Sequence, residues 1–252
     1  MKILTIIRNF FFPPRCVFCD SVMELNEVSE ICGGCSSRIK FCEESPCCEK
    51  CGKPIASFGK RQLCYFCIEA GERNYERIVS VFEYDGVVKE SIIRYKELEL
   101  PGYAKVYANC LAARIALEYG NVKFDFICGM PPHKRSVSGN GDRIARICRI
   151  ISKQLNIPFK ANVFIRNRKT AKQSSLGFEE RQENLKNSMS VLTSVKIEGK
   201  TILLVDDVCT TRASIEECSR ALREAGANAV YAATVATVRR KEYSFNEVKI
   251  SG

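Results

Sequence analysis

The chain contains no tryptophan and a single histidine, His133, in 252 residues. Without tryptophan, and with its tyrosines scattered, it offers no recognisable base-stacking platform for nucleic acid. No Ser/His/Asp or Cys/His nucleophile can be assembled around one histidine. Beside Pro131, Pro132 and Lys134, His133 is expected in a loop, facing a phosphate or standing by. A long apolar run is also missing. Ile3 to Phe12 is interrupted by Arg8 and Asn9, is too short to span a bilayer, and no small-residue cleavage site follows it. That segment reads as one that docks on the protein itself, and a cytoplasmic protein with no membrane span is expected.

What is present is unevenly placed. The formal net charge is +10, yet residues 1 to 75 are nearly balanced, with ten Lys/Arg against nine Asp/Glu. Residues 131 to 200 hold fifteen against five, which accounts for the whole excess. A localised basic surface of this kind attracts phosphates, of a nucleotide, a pyrophosphate or a nucleic-acid backbone.

Fifteen cysteines crowd toward the N-terminus. Cys16-x-x-Cys19 is followed after twelve residues by Cys32-x-x-Cys35, and the pattern repeats at an offset of 32 as Cys48-x-x-Cys51 and Cys64-x-x-Cys67. Each pair can form a tight turn that grips one face of a tetrahedral ion, and two turns close a four-sulfur site. Two structural zinc ions are expected, held by Cys16, Cys19, Cys32, Cys35, Cys48, Cys51, Cys64 and Cys67; an iron–sulfur cluster and a redox dithiol are the rivals. Sequential pairing is the simplest arrangement, and a cross-braced one would use the same residues. A closed site leaves no position for substrate, so its role is to fold a segment too short for its own core. Cys42 and Cys47 lack a matching pair and read as linker or buried thiols. The remaining cysteines read as reduced core thiols, not a secreted disulfide scaffold.

From about Tyr75 the pattern changes to apolar strands alternating with helices. Strands are expected at 78–84, 124–128, 162–165, 201–205 and 229–235, and helices at 87–96, 104–118, 142–155 and 214–225. This alternation implies an α/β domain with a mainly parallel sheet flanked by helices, spanning 75–252 behind a small double zinc-ribbon module at 1–74. Ligands of such sheets sit at the carboxyl ends of the strands. The stretch from Thr201 to Ser214 is the most informative: an apolar run ends in Asp206 and Asp207, a polar loop follows, and a helix begins. Paired carboxylates there can accept hydrogen bonds from ribose hydroxyls or approach a magnesium-bound sugar phosphate. The loop Thr210, Thr211, Arg212, Ala213, Ser214 offers hydroxyls and backbone N–H groups at a helix N-terminus, where a phosphate is favoured.

That segment resembles the phosphoribosyl pyrophosphate (PRPP) signature of type I phosphoribosyltransferases, in which the acids hold the ribose and the loop its 5′-phosphate. Arg212 stands where that family usually has glycine. The pattern Arg166-x-Arg168-x-Thr170-x-x-Gln173-x-x-Leu176, continued by Arg181 and Asn184, is similar to that of ComF-type competence proteins. So is the order of zinc ribbons followed by a phosphoribosyltransferase domain, along with Pro13-Pro14-Arg15-Cys16 and Ile92-Ile93-Arg94-Tyr95-Lys96. The segment Met130-Pro131-Pro132-His133 stands where the family has a Pro-Val-Pro strand end, and Pro132 fits a loop on the pyrophosphate side. Residues 138–142 depart from the family's Arg-Gly-Phe-Asn-Gln. For Arg166 to Lys172, a solvated basic loop and a loop that closes on pyrophosphate fit equally.

The resemblance implies a PRPP- or nucleotide-binding protein associated with DNA uptake, with single-stranded DNA and competence proteins as partners. Mg²⁺ would accompany PRPP. One alternative is an active Mg²⁺-dependent phosphoribosyltransferase that passes the ribose phosphate of PRPP to a nitrogen acceptor, with Asp206 and Asp207 as catalytic residues. The other is a catalytically silent, zinc-dependent interaction adaptor. Arg143, Arg146, Arg149 and Lys153 form a basic face opposite Ile144, Ile147, Cys148, Ile151 and Leu155; a solvated stripe is the simpler reading, a path for DNA the other.

Overall fold

The computed structural model describes residues 13–24, 30–55, 63–98, 100–132, 143–168 and 184–239. Its centre is a four-stranded parallel sheet in the order β1 (Ile78–Glu83), β6 (Ala229–Thr237), β5 (Thr201–Cys209), β2 (Phe126–Gly129). Strand β5 lies between β6 and β2, which explains its unbroken run Ile202-Leu203-Leu204-Val205: a central parallel strand is buried on both faces.

The pleat separates two cores. Val79, Val81, Ile127, Leu203, Val205, Ala233 and Val235 face one side. They are covered by α3 (Gly86–Leu98), α4 (Pro101–Tyr119) and α5 (Arg143–Leu155). Pro101 opens α4, where its missing N–H costs nothing. Ile78, Phe126, Cys128, Ile202, Leu204, Val230 and Ala232 face the other side, under α6 (Ala213–Glu224).

Each zinc ribbon joins one of these cores. The first, with Cys16, Phe18 and Cys35 and the short helix α1 (Gly33–Ser36), packs with α3 and α4. There Ser91 Oγ donates to the Val17 carbonyl at 2.6 Å, and the Phe18 ring meets Phe82 and Tyr107 edge-on with centroids 5.6 and 6.4 Å apart. The second, with Cys48, Cys51, Cys64, Cys67 and the helix α2 (Tyr65–Glu69), packs on the α6 side. Its turn also lies along the outer edge of β1: Ile78 N donates to Lys50 O at 2.9 Å. Gly52, at φ +66°, sits so close that a Cβ would lie 2.4 Å from Ile78 O. Farther along, Glu83 N donates to Lys40 O at 2.9 Å. The edge strand is thereby covered, as exposed strand edges require.

The structure corrects one element. Residues 162–165 were expected as a strand of the parallel sheet. Instead Phe164–Arg166 forms β3, paired antiparallel with β4 (Met189–Val191) in a separate two-stranded sheet. The chain touches β2 once, at the bridge between Ile127 and Phe159, and then leaves it. Strand β4 is short, and nothing in its sequence announced it. It is held from α6, where the Glu217 carboxylate accepts from Met189 N at 2.9 Å and Arg220 Nη2 donates to Met189 O at 2.9 Å. Among the described residues no helix is long and apolar enough to cross a membrane.

Because Phe18 belongs to the sheet's core, Phe18→Ala is expected to destabilise the folded chain by about 3–5 kcal/mol, as aromatic truncations in cores do. Urea unfolding checks this. A loss near about 0.5 kcal/mol, typical of surface substitutions, would show that the first ribbon is not part of that core.

Candidate functional site

The cysteine pairs converge in sequence order. Cys16, Cys19, Cys32 and Cys35 bring their sulfurs within 4.8 Å of one another, and so do Cys48, Cys51, Cys64 and Cys67. The sequential pairing is therefore the one adopted. Cys19 Sγ lies 3.6 Å from Cys32 Sγ, and Cys51 Sγ lies 3.7 Å from Cys64 Sγ. A tetrahedral ion with zinc–sulfur bonds of about 2.3 Å separates its sulfurs by about 3.8 Å, so each tetrad fits one such ion and is too compact for a multi-iron cluster. The backbone supports the repeat identically, with Cys32 N donating to Cys16 Sγ and Cys64 N to Cys48 Sγ, both at 3.3 Å. Hydrogen bonds to Ser21 hold the Cys19 thiol down at about 6, toward the thiolate a metal requires. These two closed cysteine tetrads support structural zinc. Cys42 and Cys47 stay outside them: Cys47 Sγ donates to Cys42 O at 3.0 Å, and burial pushes the Cys47 thiol up to about 11.

The acid pair lies within β5, not beyond it. Strand β2 pairs with β5 only as far as Gly129 opposite Val205, whereas β6 continues beside β5 through Cys209 opposite Thr237. Asp206 and Asp207 thus occupy the stretch where β5 has lost its β2 neighbour. Asp206 Oδ1 accepts from Asp207 N at 2.8 Å, and Asp207 Oδ1 pairs with Lys96 Nζ at 2.9 Å. Lys96 comes from the last turn of α3, whose end is fixed by Arg143 Nη1 donating to the Lys96 carbonyl at 2.6 Å. Burial works against the Lys96 ammonium, but the charge and hydrogen bond of Asp207 together with the Asp206 charge outweigh it and hold its pKa above the ordinary lysine value. Lys96 was missed as a site residue: a basic residue closing a helix is common, and only the fold brings it to the acids.

After β5 the loop Thr210–Arg212 leads into α6. Thr211, Arg212 and Ala213 are buried, and Thr210 and Ser214 partly so. Glu216 N donates to Arg212 O at 2.8 Å, so Arg212 is the first residue whose carbonyl joins the helix. The amides of α6's first turn have no intrahelical acceptor.

Arg212 keeps the backbone of a glycine, at φ 69° and ψ −6°. Its guanidinium is directed into the second tetrad, with Nη1 3.3 Å from Cys67 Sγ and 3.9 Å from Cys64 Sγ. With its guanidinium engaged there, Arg212 leaves only its backbone to the loop. Lys53, between the second ribbon's cysteine pairs, is buried and donates to the Thr210 carbonyl. Neither contact was legible in the sequence, because both join segments some 150 residues apart.

The other anticipated residues are more dispersed. Arg166, in β3, reaches the end of β2: its Nε lies 3.4 Å from Pro132 O and its Nη2 3.4 Å from Pro131 O. Burial lowers its pKa. Arg168 Nη2 donates to Lys186 O at 3.0 Å. Asn184 is described but lies beyond the gap; Gln173, Arg181, His133 and residues 138–142 fall outside the described residues.

The fold and site define a class: a double zinc ribbon joined to a phosphoribosyltransferase-type α/β domain. Residues 7–68 match the double zinc ribbon domain, and residues 145–250 match the phosphoribosyl transferase domain. The chain thus carries a double zinc ribbon followed by a phosphoribosyltransferase domain, the order of the ComF-type competence proteins it resembles. It is 28% identical over 221 residues to competence protein F of Haemophilus influenzae, an alignment covering 86% of this chain and 93% of that protein. It is 25% identical over 222 residues to the DNA utilization protein YhgH of Escherichia coli, covering 86% and 94%. Among solved structures, the glutamine PRPP amidotransferase of Bacillus subtilis is 23% identical with a TM-score of 0.36, over 52% of this chain and 25% of that one.

Elemental analysis of the purified protein is expected to return two zinc ions per chain, and one for Cys51→Ser, since each tetrad closes around its own ion. A value of two for the variant would refute the assignment.

Proposed function

We propose that this protein binds PRPP with Mg²⁺ at the β5–α6 junction and acts in the handling of incoming DNA. The observation that carries the reading is the placement of Asp206 and Asp207 on the part of β5 that outruns β2, followed at once by a buried loop and a helix N-terminus. Two carboxylates there accept hydrogen bonds from the vicinal hydroxyls of the ribose. Loop amides, the hydroxyls of Thr210, Thr211 and Ser214, and the positive end of α6 suit the 5′-phosphate. Lys96 reduces the repulsion that paired acids would exert on so anionic a ligand. Arg166, held against Pro131 and Pro132, borders the side on which pyrophosphate would lie. Mg²⁺, when bound, supplies further neutralisation of the pyrophosphate charge. In this reading residues 1–74 are a supporting module and 75–252 the ligand domain.

The DNA role rests on the relatives named for competence and DNA utilization. It is also supported by the exposed basic residues Arg149 and Lys153 on α5, with Arg149 over the Phe159 ring at 5.5 Å. Arg143 does not belong to that stripe, being spent on α3. Fifteen cysteines with no disulfide among them suit a reducing cytoplasm.

One observation favours turnover as a second reading: Arg212 adopts the left-handed backbone that glycine would supply, so the loop keeps its course despite the substitution. Pyrophosphate released from PRPP in the presence of a nitrogen acceptor would be its signature.

Isothermal calorimetry with Mg²⁺ and PRPP is expected to show binding to the native chain. Replacing both acids, Asp206→Asn with Asp207→Asn, should weaken it about tenfold or more, the effect of losing charged hydrogen bonds. Absence of binding to the native chain would overturn the reading. For DNA, Arg149→Ala with Lys153→Ala should reduce the magnitude of the slope of log affinity against log salt by about 1.4 for single strands.

A further inference from the structure

We propose that Arg212 and Lys53 make the second zinc tetrad a positioning element of the β5–α6 loop, so that retention of that ion and the geometry of the loop are linked. The inference rests, for its functional meaning, on the reading of this loop as a phosphate site.

A zinc ion held by four thiolates carries a formal charge of −2, and the second tetrad is buried at all four cysteines. Charge removed from water requires a partner. Arg212 supplies one: it is 5% exposed, and its guanidinium donates to Cys67 Sγ and lies near Cys64 Sγ. A non-glycine residue in the left-handed region costs about 1–2 kcal/mol, so the loop holds a strained backbone while its side chain serves the metal. The tetrad therefore helps to keep Arg212 in the conformation that the loop needs.

Two further contacts tie the same ribbon to the same loop. Lys53 donates to the Thr210 carbonyl, two residues before Arg212. Asn74 donates from its backbone N and its Nδ2 to Glu216 Oε1, in the first turn of α6, at 3.2 and 2.7 Å. The loop is gripped at 210 and 212, and the helix it leads into at 216. The first tetrad is tied elsewhere: its turn supplies carbonyls of Val17 and Phe18 to Ser91 and Arg94 of α3, far along the chain from the loop.

Loss of the second ion would leave the buried guanidinium without the charge it faces, an expensive state. By linkage, any ligand that favours the native loop must then favour zinc at the second tetrad, by the same factor that zinc favours the ligand. Arg212 and Lys53 are positioning residues in this scheme; neither side chain is required to touch the ligand.

The test uses the zinc-loaded full chain, comparing native protein with Arg212→Gly, which suits the backbone and lacks the charge, and Arg212→Lys, which keeps the charge and lacks the fork. Zinc release to a chromogenic chelator and amide exchange of the 208–215 segment are both followed. In Arg212→Gly one of the two ions is expected to leave about tenfold faster, the effect of one charged hydrogen bond. The other ion should be unchanged, the 208–215 amides should exchange faster, and Arg212→Lys should fall between. Saturating Mg²⁺ and PRPP should slow loss of that ion in the native chain and not in Arg212→Gly. Release of both ions at native rates, or acceleration of both alike, would overturn the link. Should Arg212→Gly fail to fold, Lys53→Met is read in the same way. If release and exchange change as expected while the native chain takes up no PRPP, the ribose-phosphate reading fails and the link stands.

Discussion

A parallel sheet with two apolar faces must be covered twice, and in this chain helices alone finish neither face. Helices α3, α4 and α5 leave room beside Phe82 and Tyr107 that Phe18 of the first ribbon fills. On the opposite face α6 shares its core with the second ribbon. A segment of some thirty residues cannot build a core of its own, so each ribbon depends on four thiolates and an ion to fix its turns, and then contributes those turns to the sheet. Metal sites, ribbons and sheet therefore form one structural unit. The ribbons also protect β1, whose outer edge would otherwise present unpaired backbone.

The candidate ligand site arises from a mismatch of strand lengths. Strand β2 stops at Gly129, where α5 crosses so closely that a Cβ would lie 2.7 Å from Ile144 Cγ2. Its neighbour β5 continues for four residues beyond that pairing, supported from one side by β6. Asp206 and Asp207 fall in this overhang, where carboxylates are accessible but their backbone is still held by a sheet. Arg143 at the start of α5 also fixes the end of α3, and so brings Lys96 to Asp207. A single crossing thus opens the space and sets the charge within it.

Much of this was legible from residue order because the relevant signals are local. Equal Cys-x-x-Cys spacings specify tetrads, and an aliphatic run ending in paired acids before a helix specifies a strand and its loop. The ends of elements were less accurate: β5 was expected to stop at Val205 and runs to Cys209, since pairing with β6 overrides the poor strand propensity of Asp206 and Asp207. Strands β3 and β4 were misplaced or missed because their pairing is held by Glu217 and Arg220 from a remote helix. Lys96, Lys53 and the destination of Arg212 were invisible for the same reason. Each depends on contacts across long separations in the chain, which periodicity and spacing do not encode.

Arg212 shows why a departure from a family pattern needs a structure to interpret it. By residue type alone, arginine in place of glycine suggests a loop distorted or a phosphate newly contacted. Here the backbone follows the path open to glycine, and the long side chain leaves in the other direction. The strain of the left-handed backbone is set against the attraction between a buried guanidinium and a buried, anionic metal site. The two ribbons, alike in spacing and in the amide bonds to their sulfurs, have come to differ in what they support. The first stabilises the face of the sheet farther from the loop, and the second shares its charge balance with the loop itself.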